Sequence, residues 1–266
     1  MAGAFPNDDA PVLVTGASGF VGGAVAHRLL DLGRKVRVAC RSPVPDLEAR
    51  GAERFELDLA DAAEVRRACA GASTVFHVGA KVGIWGRYSR FRAVNVEATQ
   101  AVINGCRDLE VPRLVFTSSP SVVFNGLDLV GADEDQPYGH DIPAYYATTK
   151  AVAEAAVLKA DNCGSLRTTA LRPHLVWGPG DTNLIPRVIE RARKGRLRIL
   201  GSGRNRVDLT YIENVVDAHL LAEKTLAERP ASAGGRAFFI TNDEPVELWL
   251  WINDLLGKLG IPILEK

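Results

Sequence analysis

Short β-branched runs alternate with longer segments of helical period through most of the chain. "PVLVTG" (11–16), "KVRVAC" (35–40), "RFELDL" (54–59), "TVFHVG" (74–79) and "RLVFTS" (113–118) read as strands, and "LRTTALRP" (166–173) and "AFFITN" (237–242) as later ones. "GGAVAHRLLDLG", "AAEVRRACAG" and "EATQAVINGCRDL" read as the helices between them. Such alternation predicts an α/β fold, a doubly wound parallel sheet covered on both faces. After about residue 175, "WGPGD", "LGSGRNR" and "ASAGG" are loop signals around helices at 184–195 and 213–228. We therefore expect a sheet domain over residues 1–175, with 176–266 mainly a small C-terminal substrate lobe whose strands return to the main sheet. The apolar helix "VELWLWINDLLGKLG" carries Trp249, Trp251, Leu255 and Leu256, which need the lobe, a partner or a further segment to cover them.

Composition narrows the function more than the fold. The 266 residues are 47% hydrophobic and 24% charged, enough for one large core or a core plus a small lobe. Lys+Arg and Asp+Glu balance at 32 each, so no global field draws the chain to nucleic acid or an anionic membrane. Cys40, Cys69, Cys106 and Cys163 are scattered and form no ligand cluster with the histidines, which predicts reduced thiols and no metal. The start "MAGAFPNDDAP" lacks the basic and apolar regions of a signal peptide, and no run is long enough to span a bilayer. A cytoplasmic protein without an integral membrane segment is the expectation.

"VTGASGFVGGAV" places Gly16, Gly19 and Gly22 where the first strand turns into a helix. Gly16 allows the tight turn, Gly19 lets backbone approach a pyrophosphate, and Gly22 lets helix and strand pack closely; this is a Rossmann-like dinucleotide site. At the end of the second strand an acid would bind ribose hydroxyls and repel a 2'-phosphate. The sequence has Cys40 there, followed by Arg41 and Ser42, so NADP(H) is favoured, with NAD(H) as the alternative. Asp58, after the third strand, is placed to accept from the adenine amino group with Leu59 beside the ring, while Asp61 better fits a helix cap.

In "YYATTK", Tyr146 and Lys150 are four residues apart and share a helix face, whereas Tyr145 points elsewhere. A fixed ammonium favours the phenolate, so Lys150 is expected to tune Tyr146 and to bind the nicotinamide ribose. A substrate oxygen also needs a hydroxyl donor, and "FTSSPSVVF" offers Ser118, Ser119 and Ser121, with Ser119 first and Ser121 second.

The set "TGASGFVG", "DLAD", "VFHVGA", "NVEAT", "TSSPSVVF", "YATTK", "LRPHLVWGPGD" and "YIENVVDAH" resembles the extended short-chain dehydrogenase/reductase (epimerase/dehydratase-like) family along nearly the whole chain. Within it, "SVVFNGLDL", "DEDQPY", "YYATTKAVAE" and "AFFITNDEPVELW" resemble the 3β-hydroxysteroid dehydrogenase and sterol-4α-carboxylate 3-dehydrogenase branch. "AKVGIWGRYSRFRAVN" and "IPRVIERARKGRLR" are closer to bacterial 2-alkyl-3-oxoalkanoate reductases.

The resemblance implies catalytic Ser119, Tyr146 and Lys150, and a cofactor wrapped by Gly16, Ser18, Gly19, Phe20, Val21 and Gly22. Val78, Gly79, Ala80 and Lys81 would border it after the fourth strand, Pro173 and Val176 would pass the nicotinamide, and Asn95 would stand behind the lysine. Trp85, Ser121 and His174 are the substrate-side candidates. A homodimer is also implied. Members of both branches run on past the point where this sequence stops, so a shortened lobe is expected. The expected activity is hydride transfer between NADP(H) and a 3β-hydroxyl or 3-oxo group of a bulky apolar molecule, sterol-like or β-keto-acid-like. A nucleotide-sugar epimerase or dehydratase, using Arg187, Arg193, Arg204 and Arg206, and a non-catalytic nucleotide sensor are the alternatives.

Overall fold

The computed structural model describes residues 9–83, 85–139 and 144–265. In chain order the elements are β1 (Val12–Thr15), α1 (Phe20–Asp31), β2 (Val36–Cys40), α2 (Pro45–Ala49), β3 (Glu53–Glu56), α3 (Ala62–Cys69), β4 (Thr74–His77) and α4 (Tyr88–Phe91). A π-helical segment (Arg92–Glu97) then leads into α5 (Ala98–Asp108), β5 (Arg113–Thr117), α6 (Tyr145–Lys159), β6 (Arg167–Pro173), β7 (Val176–Trp177) and α7 (Leu184–Arg193). The rest comprises β8 (Arg206–Val207), β9 (Thr210–Tyr211), α8 (Ile212–Glu228), α9 (Pro230–Ala233), β10 (Arg236–Ile240), β11 (Val246–Glu247) and α10 (Leu248–Lys258).

Seven strands form one sheet in the order β3-β2-β1-β4-β5-β6-β10, and the ladders joining β1 to β6 are all parallel. Buried strands that carry crossover helices on both faces read as continuous apolar runs, as Val12, Leu13 and Val14 do at 0–1% exposure. This is the doubly wound Rossmann-like fold expected from the sequence. Asp61 caps α3 by accepting from the Ala63 and Glu64 amides, so the sequence's cap signal lies where the helix begins.

The chain divides into two compact units, one running to Pro173 and including Val216–Phe239, the other comprising His174–Val215 and Ile240 onward. The core of the first packs α3, α5 and α6 on the sheet through residues such as Val65, Val102, Phe116 and Val157. The second has its own small core, in which Trp249, Ile252, Leu256 and Ile261 meet Val188, Ile189 and Leu197, so the unit itself covers much of the apolar helix face. Among the described residues no helix is long and apolar enough to cross a membrane.

Candidate active site

Between β1 and β4 the strand order reverses, and open sheets of this type take ligands at such a point, beyond the carboxyl ends of the strands. The loops leaving these two strands nest backbone on backbone. A Cβ on Gly16 would lie 2.6 Å from the Gly79 Cα, and one on Gly22 would lie 2.4 Å from the Gly16 carbonyl oxygen. Gly16 also has φ of 70°, where only glycine is unstrained. The first turn of α1, capped by Gly19, has no side-chain cap and no acid, so its free amides suit an anion. Ser18 and Gly19 are exposed, Phe20 and Val21 half-buried. These residues fit a dinucleotide pyrophosphate, because bulk at the glycines would break the cradle and the unpaired amides need an acceptor.

At the carboxyl end of β2, Cys40 closes the strand with its thiol donating to the Ser42 carbonyl oxygen at 3.2 Å. Burial pushes that thiol's pKa up, against the lowering influence of the Arg54 guanidinium. Arg41 and Ser42 are exposed. Arg54 Nη2 donates to the Arg41 carbonyl oxygen at 3.0 Å and lies 3.1 Å from Glu56 Oε2, while its buried Nε has no partner in the structure. Sequence reasoning missed Arg54. It sits on β3 opposite Val38, two residues short of the end of β2, so the signal is a cation on the neighbouring parallel strand, out of reach of any linear motif. The Asp58 carboxylate is exposed and accepts from the Ala60 amide at 3.1 Å, and Leu59 reaches back so that its Cδ1 would lie 2.5 Å from a Cβ on Gly79.

The end of β5 and the start of α6 carry the serine, tyrosine and lysine singled out from the sequence. Ser119 Oγ accepts from the Ser121 amide at 3.2 Å and from the Ser121 hydroxyl at 2.9 Å. Burial raises the Tyr146 phenol above its ordinary pKa of 10, and the nearby Ser119 side chain pulls it partly back. Lys150, only 2% exposed, donates from Nζ to the Thr117 carbonyl oxygen at 2.6 Å and lies 3.8 Å from the centre of the Phe116 ring. Burial drops its pKa to about 7, with the Glu154 carboxylate opposing the fall. Ser119, Ser121 and Tyr146 are thus brought together. Desolvation outweighs other influences on the phenol, and Lys150 is not among the groups that shift it. Tyr145 packs edge-on against Tyr88 at 5.3 Å, off the Tyr146 face.

Behind these groups is a set of buried polar side chains. Asn95, in the π-helical segment, accepts from the Lys81 amide at 2.7 Å, donates to the Lys81 carbonyl oxygen at 3.1 Å and donates to Thr149 Oγ1 at 3.0 Å. It therefore ties the loop of Val78, Gly79, Ala80 and Lys81 to α6, and π-helical insertions favour such functional places. His77 bridges Thr15 and Thr99 at 2.8 and 3.0 Å, and burial followed by the Lys150 charge holds its pKa at about 3. Trp85 is 88% exposed between Gly83 and Gly86 and is not brought to the serines and tyrosine. Pro173 closes β6 in the first unit. His174 and Val176 belong to the second, where His174 Nδ1 donates to the Asp208 carbonyl oxygen at 2.6 Å and Val176 pairs with Thr210.

Fold and site together define an oxidoreductase of the extended short-chain dehydrogenase/reductase type, dependent on NAD(P). Residues 13–265 match the 3-beta hydroxysteroid dehydrogenase/isomerase family, and the chain belongs to it. It is 48% identical over 258 residues to the 2-alkyl-3-oxoalkanoate reductase of Stenotrophomonas maltophilia (strain K279a), covering 96% of this chain and 77% of that one. To the decarboxylating sterol-4-alpha-carboxylate 3-dehydrogenase of Mus musculus it is 39% identical over 249 residues, covering 93% and 68%. Among solved structures, MoeE5 in complex with UDP-glucose and NAD superposes with a TM-score of 0.80 at 29% identity, covering 95% of this chain and 83% of that one.

Proposed function

We propose that the protein interconverts a 3-oxo and a 3-hydroxyl group on a bulky apolar carboxylic acid, using NADP(H), and that a 2-alkyl-3-oxo acid is the substrate to try first. The observation that carries this reading is the convergence of Ser119, at the end of β5, and Tyr146, at the start of α6, close enough that the serine acts on the phenol. The glycine turn and the first turn of α1 would hold the dinucleotide's pyrophosphate, and the bound cofactor would supply or accept the hydride. Ser119 and Tyr146 hold the substrate oxygen, and Tyr146 gives it a proton on reduction or takes one on oxidation. The phenol is protonated at neutral pH, the form that can donate to a carbonyl oxygen, and burial keeps it so. Lys150 is assigned to the nicotinamide ribose and to compensating the phenolate left after proton transfer.

NADP(H) is preferred on the strength of the exposed Arg41 just past β2, whose guanidinium suits a phosphate dianion where β2 ends without an acid. The substrate class rests on chemistry shared by the relatives' names, since a 2-alkyl-3-oxoalkanoate and an oxidised sterol-4-carboxylate are both β-keto acids. Keeping to reduction protects such a substrate from loss of carbon dioxide. The test is NADPH oxidation with a panel of 2-alkyl-3-oxo acids and 3-ketosteroids. Turnover on the oxo acids, cut about 100- to 10,000-fold in Tyr146→Phe, is expected. No turnover on any of them, or a fully active variant, would refute the proposal.

A further inference from the structure

Thr117, the last residue of β5, is gripped from both faces of the sheet. Side chains alternate along a strand, so Leu114 and Phe116 point into the core shared with α3, α5 and α6, and Thr117 points to the opposite face. On that face α8 lies beside α1, joined to it by Arg28 and Asp217 at 2.7 Å. His219 of α8, 0% exposed, has its Nε2 hydrogen-bonded to Thr117 Oγ1 at 2.7 Å and its ring centre 6.4 Å from that of Phe76 on β4. The main chain of the same threonine serves the other face, where its carbonyl oxygen accepts from Lys150 Nζ at 2.6 Å. Pairing of β5 with β4 ends one residue earlier, at Phe116 with His77, and on the β6 side the Ser118 amide donates to the Leu171 carbonyl oxygen at 2.6 Å. Thr117 thus stands past the end of the β4 ladder, and His219 supplies a restraint there that β4 does not.

We propose that His219 is a positioning residue for Lys150, acting through the sheet: it holds the Thr117 hydroxyl from α8 and so fixes the carbonyl oxygen that anchors the ammonium. The inference rests on the reading of Tyr146 and Lys150 given above. A lysine has a flexible four-carbon stem, so its charge is placed only as well as the partner that receives it. Branching at the threonine Cβ restricts χ1, so a hydroxyl held at one point also fixes the Cα and the peptide that follows. Both bonds are short and lie on one residue, which carries the hold of His219 to Lys150 across a single peptide unit. A histidine that merely filled space under the sheet would stabilise the fold without any tie to the lysine.

The test is a double-mutant cycle in the full chain, with kcat for NADPH-driven reduction and the NADPH Kd from fluorescence titration as separate readouts. Thr117→Val keeps the branched shape without the hydroxyl, and His219→Phe keeps a ring without the nitrogen. Each should lower kcat about tenfold or more and raise the NADPH Kd about threefold or more, since a misplacement of about 1 Å can cost about 100-fold. Thr117→Ser, which restores the hydroxyl, should return both values toward wild type. In a Lys150→Met background neither substitution should change kcat or Kd by more than about twofold, because the group through which they act is gone. Losses that persist undiminished in that background overturn the proposal, as do wild-type kcat and Kd in a folded Thr117→Val protein. If a single variant does not fold, Thr117→Val/His219→Phe removes both partners and leaves neither unsatisfied. It predicts the same loss of kcat, and a folded double variant with wild-type kcat overturns the proposal as well. Full activity in Lys150→Met refutes the catalytic reading of the lysine, whereas an impaired Lys150→Met with undiminished losses refutes only the role of His219.

Discussion

Replacing Gly22 with alanine tests the cofactor cradle with a single methyl group. Its Cβ would meet the Gly16 carbonyl oxygen at 2.4 Å, the Gly16 carbonyl carbon at 2.8 Å and the Ala17 nitrogen at 3.2 Å. All three are backbone atoms, and an ordinary carbon-to-oxygen contact is about 3.3 Å or more, so helix or turn must move by roughly 1 Å. Overpacking of this kind costs about 1–3 kcal/mol, or about 2–10 °C in Tm for a chain of this size. The same movement draws the α1 amides off the pyrophosphate position. Losing one hydrogen bond to a charged group costs about 1.5–3 kcal/mol, which weakens NADPH binding by roughly 10- to 150-fold.

Gly23→Ala is the control, since its Cβ would meet only the Ala17 carbonyl oxygen, at 3.1 Å, and the helix gains from the alanine. Gly79→Ala is intermediate, because its nearest clash, at 2.5 Å, is with the far end of the Leu59 side chain, which can rotate away. Fluorescence titration with NADPH and thermal melts of the three variants should rank them Gly22, Gly79, Gly23 in severity. A Gly22→Ala protein that binds NADPH as tightly as wild type and melts at the same temperature would refute the nested-backbone argument.

Other consequences are open to equally direct measurement. Arg41→Glu should lower the NADP-to-NAD ratio of kcat/KM by at least tenfold, and an unchanged ratio would place the 2'-phosphate elsewhere. Leu256→Ala, at 0% exposure in the core of the second unit, should cost about 2–5 kcal/mol by chemical denaturation; a cost below about 1 kcal/mol would mean that this core contributes little. Lys150 has a folded pKa of about 7 against an ordinary 10.5, so the unfolded chain binds more protons between these values. Stability from this group should therefore rise with pH from about 7 to 10.5 and be flat below, and Lys150→Met should abolish the rise. A wild-type protein that shows no difference from Lys150→Met between pH 7 and 9.5 would contradict the burial argument.

The seven sheet strands were legible because each is a short β-branched run flanked by turn signals, and their observed ends fall within about three residues of the predicted spans. The glycine cradle was legible for a similar reason, since its residues are contiguous and their steric purpose is local. What escaped was contact between strands and across the sheet. Arg54 reaches the end of β2 only through the parallel register of β2 and β3, and Glu154 meets Arg172 only because α6 packs beside β6. The π-helical segment was also invisible, because one inserted residue leaves the apolar pattern of "NVEATQAV" almost helical while turning Asn95 toward Lys81 and Thr149.

The departure at Lys150 sharpens the chemistry more than the agreements do. Spacing placed a lysine one turn from a tyrosine and suggested an ammonium that lowers a phenol's pKa, which would suit a base. Burial instead raises the phenol and weakens the ammonium, while the Thr117 carbonyl oxygen holds the lysine. A phenol that keeps its proton carries it at neutral pH but gives it up less readily, and the difficult moment is the phenolate left behind in a dry site, where an uncompensated charge costs several kcal/mol. Lys150 is useful then only if it is still charged. Burial brings its pKa down to about 7, so that condition is barely met at neutral pH.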